Sequence, residues 1–169
     1  MKPFSKKHGT NAWNMEGKNL MTCSFFGHRY IDEAIAAPLK NALTNLIANN
    51  VDTFLVGHQG DFDRLVLRTL RQLKKEFPQI RYRVVLAYLP AAPAACCAYT
   101  EEETVFPEGL ETVPPRYAIS WRNRWMIRQS DVFVTYITHS QGSAAQFAKL
   151  AKRMNKQVIN IPDSLQSRK

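Results

Sequence analysis

Four short runs in this sequence are apolar nearly throughout instead of alternating with polar residues, and helix-patterned segments separate them. They are Met21–Phe26, Val51–Gly57, Asp131–Thr138 and Gln157–Ile161, with IRYRVVLAYL at 80–89 as a more mixed fifth. Strands apolar on both faces are buried on both faces, and strands that alternate with helices build a parallel sheet through right-handed crossovers. The pattern therefore predicts an α/β fold, a three-layer α/β/α Rossmann-like sandwich with a mostly parallel sheet.

The helical segments fit between these runs. Leu39, Leu43, Leu46 and Ile47 recur at helical spacing over 38–49, with Pro38 in the first turn. Over 61–77, Val66, Leu70, Leu73 and Phe77 form one stripe and Arg64, Arg68, Arg71 and Lys75 another. The second stripe reads first as a solvated face and otherwise as a surface for an anionic partner. Helices are also predicted over 116–129 and 142–155. Residues 90–115, with PAAPAACC followed by Glu101, Glu102, Glu103, Glu108 and Glu111, break the pattern and read as a long loop with one short strand near 104–106.

The chain of 169 residues holds one domain, expected over 20–162. Residues 1–19 are a basic extension without periodic apolar pattern, of the kind that stays disordered, and 163–169 a tail. There is no apolar run long enough to cross a membrane and no apolar core of a secretory signal, so a cytoplasmic location away from membranes is expected. Cys23, Cys96 and Cys97 are odd in number, which is a poor basis for a disulfide framework and fits reduced thiols. Lys and Arg exceed Asp and Glu by nine, favouring anionic partners such as nucleotides or nucleic acid.

In open parallel sheets ligands sit beyond the carboxyl ends of the strands. Three segments converge there: Gly27, His28 and Arg29; the turn from Gly57 through His58 and Gly60 to Asp61 and Asp63; and His139 through Gln141, Gly142, Ser143 and Ala144. The last two lead into helix N-termini, whose unpaired amides and positive dipole end favour phosphate, and Arg29 adds a charge. A plainer account of the glycines is a tight strand-to-helix turn, and of Asp61 a helix cap. His28, His58 and His139 invite a metal, but no HxH or HExxH spacing supports one and only Asp61 and Asp63 stand close in sequence. Neither metal nor cofactor is expected.

The stretches FFGHR, FLVGHQGDFDRLVLRTLRQLKKEFP, RNRWMIRQSDVFVTYI and SQGSAAQFAKLAKRMNKQVINI, over residues 21–162 in unchanged order, resemble the YpsA-like branch of the SLOG superfamily. That superfamily joins the Rossmann-like domains of the cytokinin-activating LOG enzymes with those of the DNA-processing protein DprA. The resemblance implies a nucleotide or nucleotide-derived ligand at the strand ends, in a homo-oligomer. It marks Gly27, His28, Arg29, the turn Gly57–Asp63, the pair Asn123 and Arg124, and Gln141–Ala144 as ligand-binding. It also shows a departure: where LOG-type phosphoribohydrolases carry the catalytic Glu of GGxGTxxE, this chain has Gln146, which cannot act as a general base. The leading expectation is a sensor or regulatory module. The alternatives are a nucleotide N-glycosidase using Asp61 or Asp63, and DprA-like nucleic-acid binding.

Overall fold

The computed structural model describes residues 20–88 and 104–166, with side chains described to residue 163. The predicted extension 1–19, the Cys96–Cys97 pair and the acidic run Glu101–Glu103 lie outside the described residues, as does the end of the tail. Six parallel strands form one sheet: β1 (Met21–Gly27), β2 (Val51–Val56), β3 (Arg81–Val85), β4 (Thr104–Val105), β5 (Val132–Tyr136) and β6 (Gln157–Asn160). Their order is β4-β3-β2-β1-β5-β6, with β1 in the interior. This is the α/β architecture that the apolar runs predict.

Helices α1 (Ala36–Ala48), α2 (Asp61–Glu76), α3 (Pro115–Gln129), α4 (Ser143–Arg153) and α5 (Ile161–Gln166) cover the two faces. Alternate residues of a strand point to opposite faces, and the two cores divide accordingly. Cys23 and Phe25 of β1 pack with Leu39, Leu43, Val66 and Leu70 of α1 and α2. Phe26 packs with Phe133, Ile127 of α3 and Phe147 of α4 on the other side. Cys23 is fully buried, and burial pushes its thiol far above the ordinary range, so it behaves as a packed apolar residue.

Most elements fall where the periodicity places them, with shorter strands than expected. One does not: residues 161–166, predicted as strand end and tail, form α5. Ile161 is fully buried in the larger core and anchors the turn, Pro162 suits the first turn of a helix, and Asp163 complements its positive end. A six-residue helix has too little pattern of its own to be read without that tertiary anchor.

The strand order turns at β1. The chain leaves β1 through α1 toward β2 and leaves β5 through α4 toward β6 on the other face, so the crevice between the ends of β1 and β5 is the topological switch point.

Candidate functional site

The turns after β1 and β5 are tied together by His28. Its backbone N–H donates to the Tyr136 carbonyl at 3.2 Å, and its Nε2 accepts from the Thr138 N–H at 3.1 Å. The His28 ring stacks on His139, with centroids 3.9 Å apart and planes 11° from parallel. An accepting Nε2 is unprotonated, and both burial and the His139 ring hold His28 below the ordinary histidine range. The β5 turn is fixed from its other side by Asn160, whose amide accepts from the Ile137 N–H at 2.9 Å and donates to the Ile137 carbonyl at 3.0 Å. The fold thus presents His139–Ala144 on a turn whose first residues, Ile137 and Thr138, are held from both sides.

The two strand-to-helix turns share one backbone device. Gly60 and Gly142 are the N-caps of α2 and α4, with φ/ψ of 98°/177° and 94°/167°. Only glycine adopts this region without strain, so their presence is a requirement of the turn. Their surroundings differ. At α2 the Asp61 N–H donates to the Arg29 carbonyl at 2.8 Å, and a Cβ on Gly60 would meet Arg29 Cα at 3.0 Å. The Gln59 N–H is also taken, by Asp63 Oδ2 at 2.9 Å. The backbone of the β1 turn therefore occupies the place that an anion would take at this helix.

At α4 the turn is open. A Cβ on Gly142 would meet nothing within 4 Å, and Gln141, Gly142 and Ser143 are exposed. Among the described residues none supplies a hydrogen-bond acceptor to the amides of Gly142, Ser143 or Ala144. Of the two predicted phosphate turns, the structure leaves the second one free.

The remaining glycines make room for protein groups. A Cβ on Gly27 would lie 2.2 Å from Cδ1 of the buried Phe62 ring, so the strand-end glycine admits that ring. A Cβ on Gly57 would lie 2.5 Å from Asp63 Oδ2 and 3.0 Å from Arg122 Nη1. Asp63 and Arg122 are both buried, at 7% and 3% exposure. Burial raises the Asp63 carboxyl from 3.8 to about 6, against the lowering effects of the Gln59 amide and of Arg122. Burial pushes the Arg122 guanidinium down, and Asp63 and Tyr88 oppose this. Arg122 also donates from Nε to Asn123 Oδ1 at 2.9 Å and from Nη1 to the Val85 carbonyl at 3.0 Å.

Arg122 is the residue that the sequence reading passes over. Ala118, Arg122 and Met126 recur every fourth residue on the buried side of α3 beside Asn123 and Ile127, and that phase is legible in RYAISWRNRWMI. Arg124, which the resemblance marks, lies on the exposed side of α3, while Asn123 is buried. Arg29 is exposed at the rim, and Asp61 is half-buried and ion-paired with Arg64. His58 lies close to Arg122 and Val85, and its Nδ1 is buried without a hydrogen-bond partner. Burial and the charge of Arg122 hold the ring below its ordinary range, with a smaller opposing effect of the Val85 carbonyl. Among the described residues no group of three or more His, Cys, Asp or Glu is placed to hold a metal ion, and no helix is long and apolar enough to cross a membrane.

No family model matches the chain, and no curated protein matches its sequence significantly. Among solved structures it is similar to DNA processing protein A (DprA) from Streptococcus pneumoniae, with TM-score 0.55 and 12% identity, over 82% of this chain and 49% of that one. It is similar also to DprA from Helicobacter pylori, whose single-stranded DNA binding mode has been described, with TM-score 0.56 and 13% identity, over 87% of this chain and 72% of that one. The chain spans about half the length of the pneumococcal protein. At these identities the likeness is one of fold, and it agrees at that level with the DprA side of the resemblance.

Proposed function

We propose that this protein binds a phosphate-bearing ligand of nucleotide type at the β1/β5 switch point, with the amides of Gly142, Ser143 and Ala144 as its anion site. One observation carries the reading: of two helix N-termini with the same glycine-capped geometry, that of α4 is open and exposed whereas that of α2 is filled by Arg29. The resemblance to the YpsA-like SLOG branch supports a sensor or regulatory role in the cytoplasm, in a homo-oligomer. Asp61 and Asp63 are not carried forward as catalytic groups. The first is ion-paired with Arg64, and the second is buried with its Oδ2 on the Gln59 amide.

Ser143→Asp tests the anion site. A carboxylate in the first turn of α4 complements the helix dipole and leaves the fold intact or stabilised by about 0.3–1 kcal/mol, while it repels phosphate. In titration calorimetry against 5′-mononucleotides, NAD and ADP-ribose, the wild type is expected to bind at least one, and the variant at least tenfold more weakly with its melting temperature unchanged or raised. Equal affinities would move the ligand away from α4. Chromatography of each mixture adds the chemical answer: ligand recovered intact supports a sensor, and released base supports the N-glycosidase.

A second reading is single-strand nucleic-acid binding, favoured by the basic face of α2. Arg64, Arg68, Arg71, Lys74 and Lys75 are all on the exposed side, and Tyr30, 79% exposed, immediately precedes Ile31, which with Arg64 and Arg68 lines a cavity of about 420 Å³ between the β1–α1 turn and α2. A basic track with an exposed ring is the combination that holds unpaired bases. On this reading Tyr30→Ala weakens oligo-dT binding by about 1–3 kcal/mol. The double variant Arg64→Gln/Arg68→Gln flattens the slope of log K against log salt by roughly 1.4, at about 0.7 for each phosphate no longer neutralised. An unchanged slope removes this face from the interface.

A further inference from the structure

From Pro115 to Asn160 the chain holds eight Lys and Arg and a single acidic residue, Asp131. This stretch therefore supplies seven of the nine excess positive charges of the whole chain. The fold gathers its cations in one layer, because α3 and α4 lie against each other over the sheet face that carries Phe26 and Phe133. Arg116, Arg124 and Arg128 of α3 and Lys149, Lys152 and Arg153 of α4 are all exposed. Among the described residues none of these six has a carboxylate partner. Asp131 accepts instead from the Thr22 N–H, on Oδ2 at 2.9 Å. The opposite layer is different: Arg64 is ion-paired with Asp61 and Lys40 with Glu76, and Lys74 donates to the Pro78 carbonyl at 2.7 Å.

On each helix two of the cations stand four residues apart, Arg124 with Arg128 and Lys149 with Arg153, and like charges at this spacing destabilise a helix. Arg128, Lys152 and Arg153 are in the last turns, where they complement the helix dipoles. Arg124 and Lys149 lie before those turns. Both helices thus carry a repulsion that no group among the described residues relieves and that a polyanion would.

The rings on α3 are already engaged. A Cβ on Gly109 would lie 3.5 Å from Trp121 Cζ2, and the Arg128 guanidinium stands over the Trp121 ring, 5.9 Å from its centroid. Trp125 packs against the buried cluster of Leu55, Val85 and Met126. The Arg116 guanidinium lies over the exposed Tyr117 ring at 4.7 Å. Single strands are held by stacking on open rings, and membrane surfaces take aromatic side chains into the interface. The exposed positions of α4 are Ser143, Gln146, Lys149, Lys152 and Arg153, without the apolar centre of a protein interface. What remains is charge alone, in two rows that neighbouring helix axes set about 8–10 Å apart. A duplex hides its bases and offers phosphates on either side of grooves roughly 6–12 Å wide.

We propose that the face formed by α3 and α4 docks a nucleic-acid duplex through its phosphate backbone, without reading bases. Arg124 and Arg128 meet one strand, and Lys149 and Arg153 the other. The strand-end anion site and the basic face of α2 take no part in it.

The test is fluorescence anisotropy of the full chain with labelled DNA and RNA duplexes of one sequence and with oligo-dT of the same length, as salt is varied. Sedimentation with phosphatidylglycerol vesicles runs beside it. A duplex is expected to bind more tightly than oligo-dT, the tighter of the two duplexes identifying the backbone, and vesicles are expected to stay unbound. Arg124→Gln/Lys149→Gln removes one exposed cation from each helix. It is expected to weaken duplex binding at least tenfold and to flatten the slope of log K against log salt by roughly 1.8, at about 0.9 for each phosphate no longer neutralised. Its melting temperature is expected to stay level or rise, since each helix loses a like-charge pair. Lys40→Gln, which removes one charge from the opposite layer, is expected to leave affinity and slope unchanged. Nucleotide binding, read by calorimetry, is expected to be the same in the double variant as in the wild type, so this face and the strand-end site stand or fall separately. Oligo-dT bound as tightly as duplex, vesicles bound in place of duplex, or a slope that the double variant leaves unchanged or that Lys40→Gln lowers as much overturns the proposal.

Discussion

Arg122→Met is expected to cost about 3–5 kcal/mol of stability at pH 8, because it leaves Asp63 buried without the cation beside it. Methionine keeps most of the side-chain volume, so the loss is electrostatic, together with the hydrogen bonds to the Val85 carbonyl and Asn123. The pH dependence separates these contributions. Folded Asp63 takes up its proton at about 6 and the unfolded side chain near 3.8, so between these values the folded state holds the extra proton. Its contribution to stability therefore falls as pH rises from about 4 to 6, by an amount on the order of 3 kcal/mol, and is level above that window. Removing Arg122 raises the folded value further and widens the window upward. Urea denaturation of both proteins from pH 5 to 8 should give a difference in unfolding free energy that shrinks toward pH 5. A difference constant across that range would mean that Arg122 does not compensate Asp63. Comparing the two proteins at each pH cancels the opposite trend of His28, whose depressed value withdraws stability as pH falls below 6.5, whereas His58, held down in part by the Arg122 charge, adds to the difference in the same sense as Asp63.

Gly27→Ala should be nearly as damaging, at about 3 kcal/mol, the upper end of the usual cost of overpacking. The added methyl would lie 2.2 Å from Phe62 Cδ1, 2.3 Å from Cγ and 2.7 Å from Cβ. With the Phe62 Cβ itself in the way, rotating the ring brings no relief, and the start of α2 has to move. That start is pinned by the Asp61 N–H on the Arg29 carbonyl and the Gln59 N–H on Asp63, both of which such a shift strains. The measurement is the urea midpoint of Gly27→Ala against wild type at fixed slope. A midpoint lowered by less than the equivalent of about 1 kcal/mol would show that the helix yields at small cost.

The two variants also say what the strand-end residues are for. GHR after β1 and GHQGDFD after β2 invite one interpretation, a backbone opened to a ligand. In the fold Gly27 faces the Phe62 ring and Gly57 faces the Asp63–Arg122 charges. Half of the glycine signal thus belongs to packing, and the ligand reading concentrates on the turn before α4.

The sequence by itself determined the fold class, because apolar runs separated by amphipathic segments leave few other ways to bury both faces of five strands. It also determined where the turns fall and which of them carry glycine, since Gly60 and Gly142 meet backbone requirements that are local. The tertiary structure alone decided which helix N-terminus stays open, because the Arg29 carbonyl that closes α2 is 32 positions before Asp61 in the chain and reaches it only through the β1–β2 pairing. It likewise decided that Arg122 rather than Arg124 is buried, a matter of helix phase against a sheet not yet assembled in the sequence. Local chemistry is written along the chain, whereas which groups oppose one another is set by pairing over long separations.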